Sequence, residues 1–568
     1  MKKKYIYIAA LAASLNLTSC NDFLTKVPLD APTTAQFFNN QLELDGAITA
    51  AYRSTYWNTG STPYQSMMDN WTDIAVLRAV EIGEGNYDVY NAHAASLWSM
   101  AYTTIQRTNT ILDGMSAGKN SIPADIYAQR EAEARVLRAF AYTYLVEFFG
   151  DVPLITKAVP AADFYTLSRS PKADVVKFIQ DELTAAADAL PWKITQAKDY
   201  GRVSRSVALG LKARTALYNK DYATAAAAAK DVIDNAGLAL APNFGDLFTK
   251  AGQQLATTKN EVMFEVMYTE LDAGSINYVP LGSISRTAGG QSGRFPQQTL
   301  VDMFEAADGK RIDESAVYDH TNPSKNRDLR LKHTVALPGD TISMNNLTFV
   351  YDIYKPTTFA QNAATGVWAE RTNQDYDNAF GPSKSGVGLL HAKYTQTAEN
   401  AFQSRVNFNL MRYAEILLTY AEAKIELGQI DGSVTEAINL LRKRAGLPDV
   451  TADVAGDQTK MRQLIRRERN AELAMEGFRW SDLRRWGVAS IAMPTRVIGI
   501  SKDPSKIAAM PTFKKSEAHD LNNLPSYDNS LDDRMLREQR FWYDRLNLLP
   551  VPQSQRDLAP NLTQNTGW

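Results

Sequence analysis

Few of the chain's reactive side chains are spaced for catalysis. No HExxH, GxSxG or GxxxxGK(S/T) pattern occurs. The histidines His93, His320, His333, His391 and His519 do not pair at metal-ligand spacing. Gly290-Gln291-Ser292-Gly293 lacks the spacing of a nucleophile elbow and reads as a turn. Carboxylates are plentiful, so composition leaves a glycosidase pair open, yet no pair stands out. The expectation is a protein without catalytic residues, bound metal or cofactor.

The chemistry on offer suits sugar contact instead. An aromatic face must stack on the C–H side of a sugar ring. Carboxylates, amides or guanidinium groups must then meet hydroxyls that both donate and accept. The stretch after the first helix supplies Trp57, Tyr64, Asp69, Asn70, Trp71, Asp73 and Arg78. A second stretch supplies Trp368, Arg371, Asn373 and Asp375, with Tyr394 nearby in sequence. Trp71 is balanced between ligand face and core, whereas Trp368 follows Thr365-Gly366 in a polar run that favours exposure. If Trp71 stacks on sugar, Trp71→Ala abolishes glycan binding without unfolding the protein. The acidic residues could instead cap helices or hold a structural cation.

The start of the chain is an address. Lys2, Lys3 and Lys4 precede an apolar run from Tyr5 to Leu17. A helix spanning a bilayer core needs about 20 residues, so this run reads as a secretory signal. It ends in Leu17-Thr18-Ser19-Cys20, which resembles the lipobox of bacterial lipoproteins. That resemblance makes Cys20 the lipidated first residue, its thiol carrying the diacylglycerol. Cys20 is the only cysteine, so no intrachain disulfide can form. Two or three acyl chains anchor stably, and no later run is apolar enough to span, so the membrane contact is through the lipid alone.

Composition narrows the rest. A hydrophobic fraction of 45% in 568 residues builds a sizeable core. A net charge of −2 without a long basic run argues against nucleic acid as partner.

The elements that must position these residues are mostly helical. Asn21 to Asn40 reads as a tether and extended lead-in, with Thr33 or Thr34 as an N-cap for the first helix. Leu42, Leu44, Ala47, Ile48, Ala51 and Tyr52 follow helical spacing. So do Leu97, Trp98, Ala101, Ile105, Thr108 and Leu112. Further helices are expected from about Ala124 to Phe149 and over 171–190 and 203–236. Residues 206–236 and 410–445 each show small residues across a helix–turn–helix and resemble tetratricopeptide repeats, with ordinary helical hairpins as the alternative. Over 240–405 helical periodicity fades, and runs such as 261–266 and 347–354 suggest short strands among long loops. A rigid helical frame holding long loops suits a binding protein.

Several segments resemble the SusD/RagB family. Asn21-Asp22-Phe23-Leu24 through Val27-Pro28-Leu29 is similar to its lead-in. Trp98, Tyr102, Ile105, Asn109 and Leu112 match an early helix, and Arg138 to Tyr142 through Phe148 to Leu154 the next. Met411 to Glu415, Arg466 to Arg469, Glu476 to Trp480, Asp482 to Gly487, Leu549 to Pro552 and Gln564 to Trp568 follow its C-terminal pattern.

The resemblance implies a mainly α, SusD-like fold with tetratricopeptide-like helical repeats as scaffold. It also implies a loop-rich region with few short strands. The organisation then reads as a signal peptide over 1–19, a lipidated tether over 20–40 and one SusD-like domain over 41–568. That domain divides into a helical part (41–240), a loop-rich insert (241–405) and a C-terminal part (406–568). The resemblance further implies a lipoprotein on the outer membrane, facing outward, that caps a SusC-like TonB-dependent transporter and passes it an oligo- or polysaccharide. Trp98, Phe148, Trp480 and Trp486 are expected in the core, and the Arg and Glu residues of 466–485 in ion pairs. The competing readings are a RagB-like peptide-capturing lipoprotein, a protein–protein adaptor using the helical repeats, and a surface hydrolase.

Overall fold

The computed structural model describes residues 38–59, 62–79, 82–269, 275–362, 365–379, 381–396, 400–509, 524–525 and 533–568. Cys20, the signal segment and the lead-in with Thr33 and Thr34 lie outside the described residues. The first described helix, α1 (Gln41–Ser54), is capped by Asn40, whose side chain accepts the Glu43 N–H. Asn40 has extended backbone at φ −143°, as an N-cap requires.

The helical frame follows the apolar spacing. It runs through α2 (Ala92–Gly114), α3 (Ala124–Phe149), α4 (Lys172–Ala187), α5 (Arg205–Tyr218) and α6 (Tyr222–Asn235). Asn91 caps α2 through the His93 and Ala94 N–H groups, and Asp221 caps α6 through Thr224. Each helix from α2 to α6 packs on the next. The chain then leaves the frame, and returns with α7 (Tyr413–Glu426), α8 (Gly432–Arg444) and α9 (Gln458–Leu473). Helix α7 packs on α6 as well as on α8 and α9, so the two repeat-like segments become neighbours across the intervening chain. Small residues make these approaches possible. Helices α5 and α6 bury Ala213, Ala216, Ala225 and Ala229. A Cβ on Gly210 of α5 would stand 2.5 Å from the Met411 sulfur.

The strands are short and antiparallel. β1 (Ala75–Leu77) pairs with β3 (Arg294–Pro296), and β2 (Val262–Val266) with β8 (Phe408–Arg412). A four-stranded meander holds β4 (Thr341–Met344), β5 (Leu347–Val350), β6 (Thr357–Gln361) and β7 (Trp368–Thr372), with β7 at one edge. β9 (Arg496–Ser501) pairs with β10 (Arg534–Gln539). The main core runs through the helical frame. A second cluster beneath the meander gathers Ile284, Ala288, Ile342, Met344, Phe349, Tyr351 and Ile500.

Buried ion pairs lock the loop-bearing region to the frame. Arg330 pairs with Asp328 (2.7 Å) and with Glu468 of α9 (2.9 Å). Arg412 meets Glu261 (2.6 Å), Glu472 (2.9 Å) and Glu476 (2.7 Å), and Lys393 meets Glu476 (2.8 Å). Arg442 joins Glu305 (2.9 Å) to Glu468 (2.6 Å). Burial alone would raise the Glu472 carboxyl, but Arg444, Arg412 and Arg330 hold it well below the usual carboxylate range. Such charges survive burial only when each has its partners. The density of charge over 466–485 is therefore structural. Trp98, Phe148 and Trp480 are buried as expected, while Trp486 is half-buried and donates its indole N–H to Glu422 at 2.7 Å.

Candidate ligand-binding surface

Most of the residues first singled out after α1 are structural. The Trp57 ring packs on Phe140 and Tyr144, both at 5.1 Å, and its N–H donates to Thr104. Tyr64 donates its hydroxyl to the His93 carbonyl at 2.8 Å. Trp71 is fully enclosed against Trp480, 6.0 Å away, and Tyr64. Asn70 donates to the Ser66 and Met67 carbonyls. Asp69 accepts the Gly477 and Arg479 N–H groups, each at 2.9 Å. Burial pushes its carboxyl up to about 6 although those two donors pull the other way. Asp73 takes both arms of the Arg479 guanidinium at 2.8 and 2.6 Å. Trp71, Asp69 and Asp73 seat the loop on the C-terminal region, Trp57 and Tyr64 seat it on the N-terminal helices, and all six side chains are buried, which corrects their reading as ligand contacts. Tyr394 is also core, stacked on Phe408 at 5.1 Å with φ +62°.

Asn373 and Asp375 are buried pegs. The Asn373 amide donates to the Asp352 and Lys355 carbonyls, both at 2.8 Å, while its oxygen accepts the Thr287 hydroxyl at 2.9 Å. Asp375 accepts the Ser285 hydroxyl and the Arg286 N–H. Burial raises its carboxyl, with the Ser285 and Thr287 hydroxyls opposing. These bonds fix the 284–291 loop to the segment after β7.

The same loop receives Arg78 from the other side. The Arg78 backbone N–H donates to the Gly293 carbonyl at 2.8 Å, and its guanidinium to the Gln291 carbonyl at 2.9 Å. Arg537 of β10 donates to the Arg78 carbonyl. The two stretches singled out separately in the sequence thus meet around one loop. Three guanidiniums gather there. Burial and then the Arg78 charge lower Arg286, with Asp375 opposing. Arg537 is lowered first by burial and further by Arg78, with Glu538 opposing.

The open face of the meander is a separate surface, on the side of the sheet away from this loop, whose Ile284 and Ala288 pack beneath the strands. Register places Phe359 opposite Glu370 and Gln361 opposite Trp368, so all four share one face. Thr348 is opposite Gln361, and Ser343 opposite Thr348, their hydroxyls 2.7 Å apart. Thr357 donates to Glu370 at 2.6 Å. Phe359 is 55% exposed, Trp368 41% and Tyr376, just past β7, 39%. The opposite face buries Ile342, Met344, Phe349 and Ala360 in the second core, so the exposed rings stand on a packed support. Arg371 is exposed on β7 and alternates to the face opposite Trp368. Phe359, Tyr376, Arg286 and Arg537 were not singled out in the sequence. Alternation in Thr357-Thr358-Phe359-Ala360-Gln361 is the signal that could have found Phe359. Among the described residues, no three His, Cys, Asp or Glu side chains converge as a metal site.

Comparison with known proteins gives this arrangement a family. The SusD family model matches residues 260–568, and a second model, described as starch-binding associating with outer membrane, matches residues 22–217. The chain belongs to the SusD family. SusD-like protein P2 of Formosa agariphila is 26% identical over 510 residues, covering 85% of this chain and 90% of that protein. The starch-binding protein SusD of Bacteroides thetaiotaomicron is 25% identical over 552 residues, covering 86% and 92%. Among solved structures, a SusD-like carbohydrate binding protein from Bacteroides fragilis superposes with a TM-score of 0.76 at 26% identity, covering 93% of this chain and all of that one. These relatives fit the mainly α SusD fold. No described helix is long and apolar enough to cross a membrane.

Proposed function

We propose that this protein is a cell-surface glycan-binding lipoprotein. It captures an oligo- or polysaccharide and delivers it to a SusC-like TonB-dependent transporter in the outer membrane. It binds without turnover, and Cys20 carries the lipid. The observation that carries the reading is the open face of the meander. There Trp368 and Phe359 stand among hydroxyls, an amide and a carboxylate. Aromatic rings supply the stacking surface, and the polar groups supply donors and acceptors at fixed positions. The starch-binding and carbohydrate-binding relatives support the same ligand class. The helical-repeat surface is the face we assign to the transporter, since stacked repeats present broad surfaces to partners.

A second reading, peptide capture, has one observation in its favour. β7 is an edge strand, and all five of its residues are exposed. Such an edge can add an extended peptide through main-chain hydrogen bonds. Native affinity electrophoresis on a polysaccharide panel, with a peptide mixture tested by calorimetry, separates the two. Retardation by a polysaccharide without release of reducing sugar is the expected result. Peptide binding without any retardation would replace the glycan reading with the second one.

A further inference from the structure

A cleft of about 480 Å³ lies where the chain between α4 and α5 passes β2, lined by Trp192, Lys193 and Lys259 among others. A second hollow of about 320 Å³ opens on the other side of Tyr200, against α1. The two share Tyr200, Gly201, Arg202, Phe264, Glu265 and Met267, so they flank one ridge. Gly201 makes that ridge possible. Its φ is +93°, and a Cβ there would stand 2.4 Å from the Met267 sulfur. Neither hollow contains any residue of the meander face or of the Arg78 rim. Together they have the volume of an ordinary small-ligand site, which runs from about 300 to 1,000 Å³.

The lining combines rings with excess positive charge. Trp192 and Tyr200 are half-buried rings, each backed by a cation. Arg205 lies 4.4 Å from the Trp192 ring, and Lys259 lies 5.2 Å from Tyr200. Lys193, Lys198, Lys259 and Arg53 line the two hollows. Lys193 is partly engaged, donating to the Gly237 carbonyl at 3.1 Å and to Asn260 at 3.3 Å. Arg53 lies 4.7 Å from the Tyr56 ring, and Lys198 is exposed. Arg202 is spent on Glu133 (2.8 Å) and Asp199 (3.3 Å). Glu265 is the one carboxylate in the lining, and it accepts the Asn407 amide at 2.8 Å. Burial pushes Glu265 up to about 7, so near neutrality it cancels only part of this charge. In a chain of net charge −2, this is a local reversal of sign.

We propose that the paired cleft is a second ligand site, for an anionic sugar unit, a uronate within a glycan chain. The C–H side of one sugar ring lies on Trp192 or Tyr200 and its carboxylate pairs with Lys259, while the carboxylate of a further uronate along the chain meets Lys198 in the second hollow. The site takes from the proposed function only that the ligand is a glycan. A uronate-bearing chain gains from this charge, whereas a neutral chain does not.

The test is calorimetric titration of the purified protein with trigalacturonate, and with maltotriose as neutral counterpart. Lys198→Glu and Trp192→Ala variants are run alongside. The expected result is trigalacturonate binding that weakens with added salt. Lys198→Glu should weaken it about fivefold, and Trp192→Ala about tenfold. Lys198 is exposed, so its variant reads the site even if Trp192→Ala folds poorly. Binding indifferent to Lys198→Glu, or equal binding of maltotriose at this cleft, overturns the proposal. Neutral-glycan binding that depends on Trp368, with no uronate binding, overturns it and leaves the proposed function standing. Absence of binding by any glycan overturns both.

Discussion

Trp368→Ala is the substitution on which the proposed site depends most. A tryptophan exposes at most about 250 Å², and Trp368 is 41% exposed, leaving roughly 100 Å² in solvent. A sugar stacked on one face covers about half of that. At about 25 cal/mol per Å², the lost burial is about 1.2 kcal/mol, or about eightfold in Kd. Folding stability should scarcely change, because every residue of β7 is exposed and the ring does not enter the second core. The assay is calorimetry with the polysaccharide that retards the wild-type protein, with thermal melts of both proteins. An unchanged Kd with an unchanged Tm would refute the stacking argument. A Tm lowered by several degrees would refute the exposure argument.

Other substitutions test the frame. Trp71→Ala should cost about 3–5 kcal/mol in urea unfolding, because the ring is enclosed against Trp480 and Tyr64; unchanged stability would return Trp71 to the ligand site. Arg412→Met leaves the Glu261, Glu472 and Glu476 carboxylates short of a partner and should cost about 3–5 kcal/mol by the same measurement; a neutral effect would show that the network repairs itself. Glu265 is raised to about 7 by burial, so its contribution to stability is present in acid and is lost as pH rises from about 4.5 through 7. Glu265→Gln should therefore gain up to about 3 kcal/mol relative to wild type between pH 5 and pH 8, and parallel pH profiles for the two proteins would contradict that sign.

The helical frame was legible because its signals are local. Leu97, Trp98, Ala101 and Ile105 repeat at the helical period and are buried on α2. The small residues of 206–236 and 410–445 marked the paired helices, although their mutual packing needed the chain to return across the intervening loops. The loop after α1 is not legible in the sequence, for the opposite reason. Asp69 binds Gly477, 408 positions away, and Asp73 binds Arg479, 406 positions away. A buried aromatic-and-acid cluster has the same composition as an exposed one, and only distant partners tell them apart. Trp368 was placed in solvent by its polar neighbours, and it is exposed. Phe359 reaches the surface through strand register, and half-buried Arg286 and Arg537 meet Arg78 through a turn and a strand pairing, which carry little local signature.

The most direct test of the central claim is hydroxyl-radical footprinting of the protein with and without the polysaccharide that retards it. The account predicts protection of Trp368, Phe359 and Tyr376, with Trp57 and Trp71 unreactive in both states because they are buried. Protection confined to the helical-repeat surface, with Trp368 and Phe359 as reactive as before, would contradict the assignment of the glycan to the open face of the meander.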